Sequence, residues 1–163
     1  MSLLNTIKGW FCADMAPRHF WPFVLFLDFD GVLHPGTSGT MRLINELEQL
    51  LAHYPDVVVV ISSSWRMSES LDELRAWFSP EFASRIVSVT PVLDQAQPAA
   101  RQTEIETWLK YNPANHYCAL DDEPPLFQPG CPWLIATNPR TGLTKQTLQA
   151  LSAVFDAARL QKV

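Results

Sequence analysis

Cysteine is scarce in this chain, with Cys12, Cys118 and Cys131 as the only three among 163 residues. An odd number without C-x-x-C spacing argues against both a disulfide scaffold and a thiolate zinc site, and makes a reducing cytoplasm the simplest location. Long apolar runs are missing as well, so no stretch of roughly eighteen apolar residues exists to cross a membrane as a helix. Met1 to His19 carries a single lysine, bulky Trp10 and Phe11 and no long apolar core, and does not read as a signal peptide. Basic residues are the minority, 12 against 17 acidic, for a net charge of −5. That balance gives no global attraction to nucleic acid and leaves only a local cationic patch open. No repeat, linker or low-complexity tract divides the chain, and its length suits one domain. The expected organisation is an arm over residues 1–21, packed by Trp10, Phe11 and Trp21, followed by a domain over 22–163.

What the chain does contain is a fully apolar segment, Phe23 to Leu27, that ends in Asp28-Phe29-Asp30-Gly31. Continuous apolarity suits a strand covered on both faces of a parallel sheet, whose functional end is its carboxyl edge. Alternation along a strand would send Asp28 and Asp30 to one side and Phe29 to the other. Two carboxylates in one small volume repel unless a cation compensates, and an all-oxygen pocket favours Mg²⁺. The alternative is a pair of solvated acids in a strand-to-loop turn. A calcium-binding EF-hand is a worse alternative, since its glycine and glutamate positions counted from Asp28 hold Leu33 and Gly39.

The rest of the chain alternates helical and strand patterns. Helical spacing runs from Met41 through Leu51, with Tyr54 at its end. Val57 to Ile61 is a β-branched strand, and a capping box at Ser70 and Glu73 opens a helix with Leu71, Leu74, Trp77 and Phe78 inward. Ile86 to Val89 is a third strand. A helix from about Arg101 carries Ile105, Trp108 and Leu109, and His116 to Leu120 is a fourth strand ending in Asp121-Asp122. Trp133 to Ala136 is a fifth. Thr144 caps a last helix expected to bury Leu148, Leu151, Val154, Phe155 and Leu160. Such alternation predicts an α/β fold, a three-layer α/β/α sandwich on a parallel five-stranded, Rossmann-like sheet.

Right-handed crossovers bring the carboxyl ends of parallel strands to one edge, where Asp28, Asp30, the serines after Ile61, Asp121 and Asp122 would meet. Each has a plainer alternative. The serines could merely turn the chain, Asp121 or Asp122 could cap a helix, and Arg66 and Arg101 could form ordinary surface ion pairs. His34 reads as a solvated loop histidine, with substrate contact as the other option.

FLDFDGVLH resembles the first motif of the haloacid dehalogenase (HAD) superfamily of phosphatases and phosphotransferases. The resemblance implies that Asp28 is the nucleophile, Asp30 the general acid and base, and the Asp30 backbone carbonyl a metal ligand. The second motif resembles Ile61-Ser62-Ser63, with Ser63 preferred over Ser62 and the following N–H groups, from Ser64 onward, also meeting phosphate. Arg101 matches the third motif, where lysine is usual, and Arg66 is its rival; both are candidate phosphate contacts. Asp121-Asp122 matches the fourth, with Asp122 on Mg²⁺ and Asp121 orienting the metal shell or the basic residue. More narrowly, FLDFDGVLHP, SSSWR, RxxEI, ALDDE and NPRTGLT together look like the small HAD-like domain of Swiss Army Knife RNA repair proteins. Short spacings after the first and third motifs leave no room for the lids of larger relatives, so the domain looks capless. The resemblance implies a Mg²⁺-dependent phosphatase working through an aspartyl phosphate, on RNA or DNA ends or another large phosphorylated substrate. A catalytically idle phosphate-binding or regulatory domain and a small-molecule phosphatase are the alternatives. No membrane partner is expected, and the sequence leaves the oligomeric state open.

Overall fold

The computed structural model describes residues 20–161. Five strands form one all-parallel sheet in the order β3-β2-β1-β4-β5. They are β1 (Trp21–Leu27), β2 (Val57–Ile61), β3 (Ile86–Val89), β4 (Ala114–Asp121) and β5 (Leu134–Ala136). The apolar strand β1 is central, and its side chains divide between two cores. Leu25 and Leu27 pack with Val59, Ile61 and Leu120 under α1 (Ile44–Ala52), α2 (Leu71–Arg75), α3 (Pro80–Ala83) and α5 (Lys145–Leu160). Val24 and Phe26 face the other way, onto Ile105 and Trp108 of α4 (Ala100–Tyr111) and onto Phe127. The fold is therefore the expected three-layer α/β sandwich, with both faces of a parallel sheet covered.

Several local expectations are corrected. Met41 has φ +49° and lies in a turn, so α1 starts only at Ile44. The Ser70–Glu73 capping box is present, but α2 ends at Arg75, and Trp77 is 45% exposed because it packs edge-on against Trp65 instead of entering the core. Beyond Trp77 the Ser79 hydroxyl caps a separate short helix, α3, with Pro80 in the first turn. On α5 the inward stripe is Leu151, Phe155 and Ala158, while Val154 and Leu160 are exposed at 36% and 78%. The arm's Trp10 and Phe11 lie outside the described residues, whereas Trp21 is the first residue of β1 and pairs with Ala114.

Candidate active site

Backbone hydrogen bonds continue the ladder one step past the strands and so align the loops that follow. Asp28 N–H donates to the Leu120 carbonyl at 3.1 Å, Ser62 N–H to Leu27 at 2.9 Å, and Thr137 N–H to Asp121 at 3.0 Å. Asp28 thus lies between Ser62 and Asp121 at the tips of β2 and β4. Asp28 and Asp121 are buried, Asp122 is half-buried, and all three offer carboxylate oxygens within 4.8 Å of one another. Arg101, from the first turn of α4, enters this group with Nη1 2.7 Å from Asp121 Oδ2 and 3.6 Å from Asp28 Oδ1.

The electrostatics of the cluster call for positive charge. Burial, with the Asp28 charge added, pushes the Asp121 carboxyl up to about 8 in spite of Arg101. Burial, then Asp28 and Glu123, pushes Asp122 up to about 6. Burial opposes the charge on Arg101, but Asp121, Asp28 and Glu104 outweigh it and hold the guanidinium protonated. Both Asp121 oxygens are engaged, one by Arg101 and the other by Glu123 N–H at 2.9 Å. Asp122 Oδ1, by contrast, is buried without a hydrogen-bond partner. Gly31, at φ +61°, makes room for it, since a Cβ there would sit 2.0 Å from Asp122 Oδ2. An orphaned carboxylate oxygen, raised carboxyl pKa values and a cradle that only glycine leaves open fit a small, oxygen-seeking dication.

Asp30 does not share this volume through its side chain. The strand ends at Leu27, and the turn at Gly31 sends the Asp30 carboxylate elsewhere. Oδ2 accepts from Trp65 Nε1 at 2.9 Å, and Oδ1 lies 3.3 Å from His34 Nε2. His34 is fully buried, not solvated, with its ring tilted against Trp65.

The serine cluster also differs from expectation. The Ser63 hydroxyl accepts from Trp65 N–H and caps a 3₁₀ turn at Ser64–Met67, and Ser64 is exposed on the rim. It is Ser62 whose hydroxyl is buried and unpartnered beside Asp28. Neither arginine forms a surface pair. Arg66 is buried, donating to the carbonyls of Ser62, Ser63 and Thr90 and pairing with Glu104, so its guanidinium is engaged by the turn after β2 and by α4. Nor do Asp121 and Asp122 cap a helix: the short 3₁₀ turn that follows has Glu123 at its cap and no side-chain bond there. Trp65 and Glu104 are contributors to which sequence reasoning gave no role, and His34 is one that it read as solvated. The available signals were a tryptophan directly after the serine cluster and a glutamate one helical turn from Arg101.

No curated protein and no solved structure matches the chain significantly. Residues 24–148 match the family described as the HAD domain in Swiss Army Knife RNA repair proteins. That match runs from within β1 to the first turn of α5, well over half of the chain, and the protein therefore belongs to this HAD family.

Proposed function

We propose that the protein is a Mg²⁺-dependent phosphomonoester hydrolase that forms a transient phosphoryl ester on Asp28. The observation that carries the reading is the buried Asp28 carboxylate at the tip of the central strand, with Arg101 on one side and the unpartnered Ser62 hydroxyl and Asp122 oxygen at the same edge. Asp28, Asp122 and the Asp30 carbonyl would hold Mg²⁺, which supplies a charge that screens carboxylate from phosphate and stabilises the transferring oxygens. Asp28 attacks phosphorus in line, its new P–O bond forming as the ester P–O bond breaks, while Asp30 gives its proton to the departing alkoxide. Asp30 then takes a proton from water, the hydroxide adds to phosphorus, and the bond to Asp28 breaks to release inorganic phosphate. Arg101 and Ser62 meet the equatorial oxygens as charge-assisted and hydroxyl donors. Asp121 aims Arg101, Arg66 supports the Ser62–Ser63 turn, and Ser64 stands on the rim.

No lid domain is inserted at this edge among the described residues, because only a loop and α1 separate β1 from β2, and α4 leads directly to β4. Arg42 and Arg140 are exposed on neighbouring loops of this edge and enter no ion pair among the described residues. An edge without a lid domain and with cations on its rim suits the phosphorylated end of a nucleic acid better than a small metabolite, and the family's description agrees. A reducing compartment suits the two described cysteines, both unpaired, with burial pushing the Cys118 thiol far up. No helix among the described residues is long and apolar enough to cross a membrane.

The test is hydrolysis of an aryl phosphate by wild type and Asp28→Asn, each with Mg²⁺ and with EDTA. Activity in wild type with Mg²⁺, lost to background on either change, is expected. Tight Mg²⁺-dependent binding of a phosphate mimic without turnover would replace the enzyme by a phosphate-binding domain. A panel of nucleotides, sugar phosphates and 3′- or 5′-phosphorylated oligonucleotides then ranks the substrates.

A further inference from the structure

Asp30 is half-buried, accepts one ring N–H and lies beside the nitrogen of a second ring from another part of the chain. Trp65 Nε1 donates to Oδ2 at 2.9 Å. The indole is itself fixed, edge-on to Phe29 at 5.7 Å and to Trp77 at 6.0 Å between ring centroids, so its N–H has a defined direction. On the other side, His34 has no exposed surface, and its Nδ1 accepts the Gly39 backbone N–H at 3.3 Å. A backbone N–H can only donate, so Nδ1 is the acceptor and the hydrogen of a neutral ring is on Nε2. That Nε2 lies 3.3 Å from Asp30 Oδ1, yet it makes no aligned hydrogen bond and is buried. An orphaned donor this close to a carboxylate is satisfied by a small rotation of the carboxyl or of the ring that brings the N–H into line with Oδ1.

We infer that Trp65 and His34 are positioning residues that aim the Asp30 carboxyl at the leaving oxygen of the substrate. The inference rests on the reading of Asp30 as general acid. Neither side chain touches phosphate in this scheme. Each acts by restricting Asp30, and the His34 donor collects the carboxylate once its proton has gone to the leaving group. Loss of either contact weakens protonation of the departing oxygen while leaving the attack by Asp28 in place. The penalty is therefore selective, falling on esters whose leaving group needs a proton.

The experiment compares kcat/KM for phenyl phosphate, whose phenoxide benefits from protonation, and for 2,4-dinitrophenyl phosphate, whose phenolate departs without it. Wild type, Asp30→Asn, Trp65→Phe, His34→Leu and His34→Gln are measured with Mg²⁺. Asp30→Asn calibrates the full selective loss. Trp65→Phe and His34→Leu are expected to lose at least about tenfold more on the phenyl ester than on the dinitrophenyl ester, a fraction of a general acid's usual contribution. His34→Gln, which carries an N–H near the Nε2 position, should recover part of it. Equal losses on both esters would overturn the inference and reduce the two residues to packing, and so would no loss on either. If His34→Leu does not fold, Trp65→Phe alone decides. A wild type inactive on both esters would instead bring down the phosphatase reading, and an Asp30→Asn without selectivity the reading of Asp30 as its general acid, each taking this inference with it. Nitrogen-15 NMR of the imidazoles gives a readout independent of turnover. His34 should show a protonated Nε2 and an unprotonated Nδ1, and the opposite tautomer or a doubly protonated ring would overturn the assignment of His34.

Discussion

Gly31 is the residue on which the placing of Asp122 turns. Its φ of +61° is one that L side chains rarely adopt, and the absent Cβ leaves the space that Asp122 fills. Alanine there would have to displace the Asp122 carboxylate, whose nearest oxygen would be 2.0 Å away, besides adding about 1–2 kcal/mol of backbone strain. Gly31→Ala should therefore fold, although less stably, and bind Mg²⁺ at least about tenfold more weakly, roughly the loss of 1.4 kcal/mol from one ligand. Titration calorimetry with MgCl₂ checks this, and an unchanged affinity would remove Asp122 from the ligand set. Residues of this kind differed in how far the sequence revealed them. Asp28, Asp121 and Asp122 were legible because acids directly after apolar strands have one place to go. Ser62 and Ser63 were not distinguishable, because the choice depends on which hydroxyl caps the following 3₁₀ turn. His34 was hidden for a related reason: its burial comes from the Trp65 ring and the Gly39 amide, both contributed by loops.

At the scale of elements, α4 ties the site together through Glu104. This fully buried carboxylate pairs with Arg66 from the turn after β2, lies 4.0 Å from Arg101 Nε, and accepts from Leu93 N–H at 3.0 Å and Gln95 Nε2 at 2.7 Å. Glu104→Ala strands a buried guanidinium, and should cost about 3–5 kcal/mol in urea denaturation. The double variant Glu104→Leu with Arg66→Met should recover much of that loss, because both buried charges are gone. A double variant as unstable as the single one would show that Arg66 is needed for its bonds to the Ser62, Ser63 and Thr90 carbonyls rather than for charge balance. The strands themselves were readable: Val57–Ile61 and Ile86–Val89 coincide with their apolar runs. Helix ends were less so, since Trp77, Val154 and Leu160 satisfy a helical period that the neighbouring layer does not extend far enough to cover.

For the whole molecule, the site acts on stability through protons. The folded protein holds Asp121 up to about 8 and Asp122 up to about 6, against about 3.9 for an unfolded aspartate. Below about pH 4 both states are protonated and these groups cost nothing; as pH rises, the unfolded chain releases protons that the folded one retains. Stability of the metal-free protein therefore declines from about pH 4 until the folded carboxyls have ionised, near pH 8, with Asp122 contributing less because water reaches it. Mg²⁺ should reverse the decline most where the acids are ionised. Melting curves at pH 5.5, 7 and 8.5 in EDTA and in Mg²⁺ should show a Tm gap that widens with pH, and a constant gap would mean that the ion does not engage this cluster. The overall architecture was the most legible level of all, because five apolar runs alternating with helical patterns admit few parallel topologies. The fastening of the loop after β1 was not legible. Gly31 N–H bonds the Gly36 carbonyl, Gly36 N–H bonds Pro139, Thr137 Oγ1 bonds Gly31, and Leu143 N–H bonds Val32. During synthesis Asp28 is made more than a hundred residues before the clasp that shapes the loop after it. A nascent chain halted before the fifth strand carries Asp28 and Asp30 without the clasp, and the loop that follows them takes its shape only once residues 137–143 have joined it.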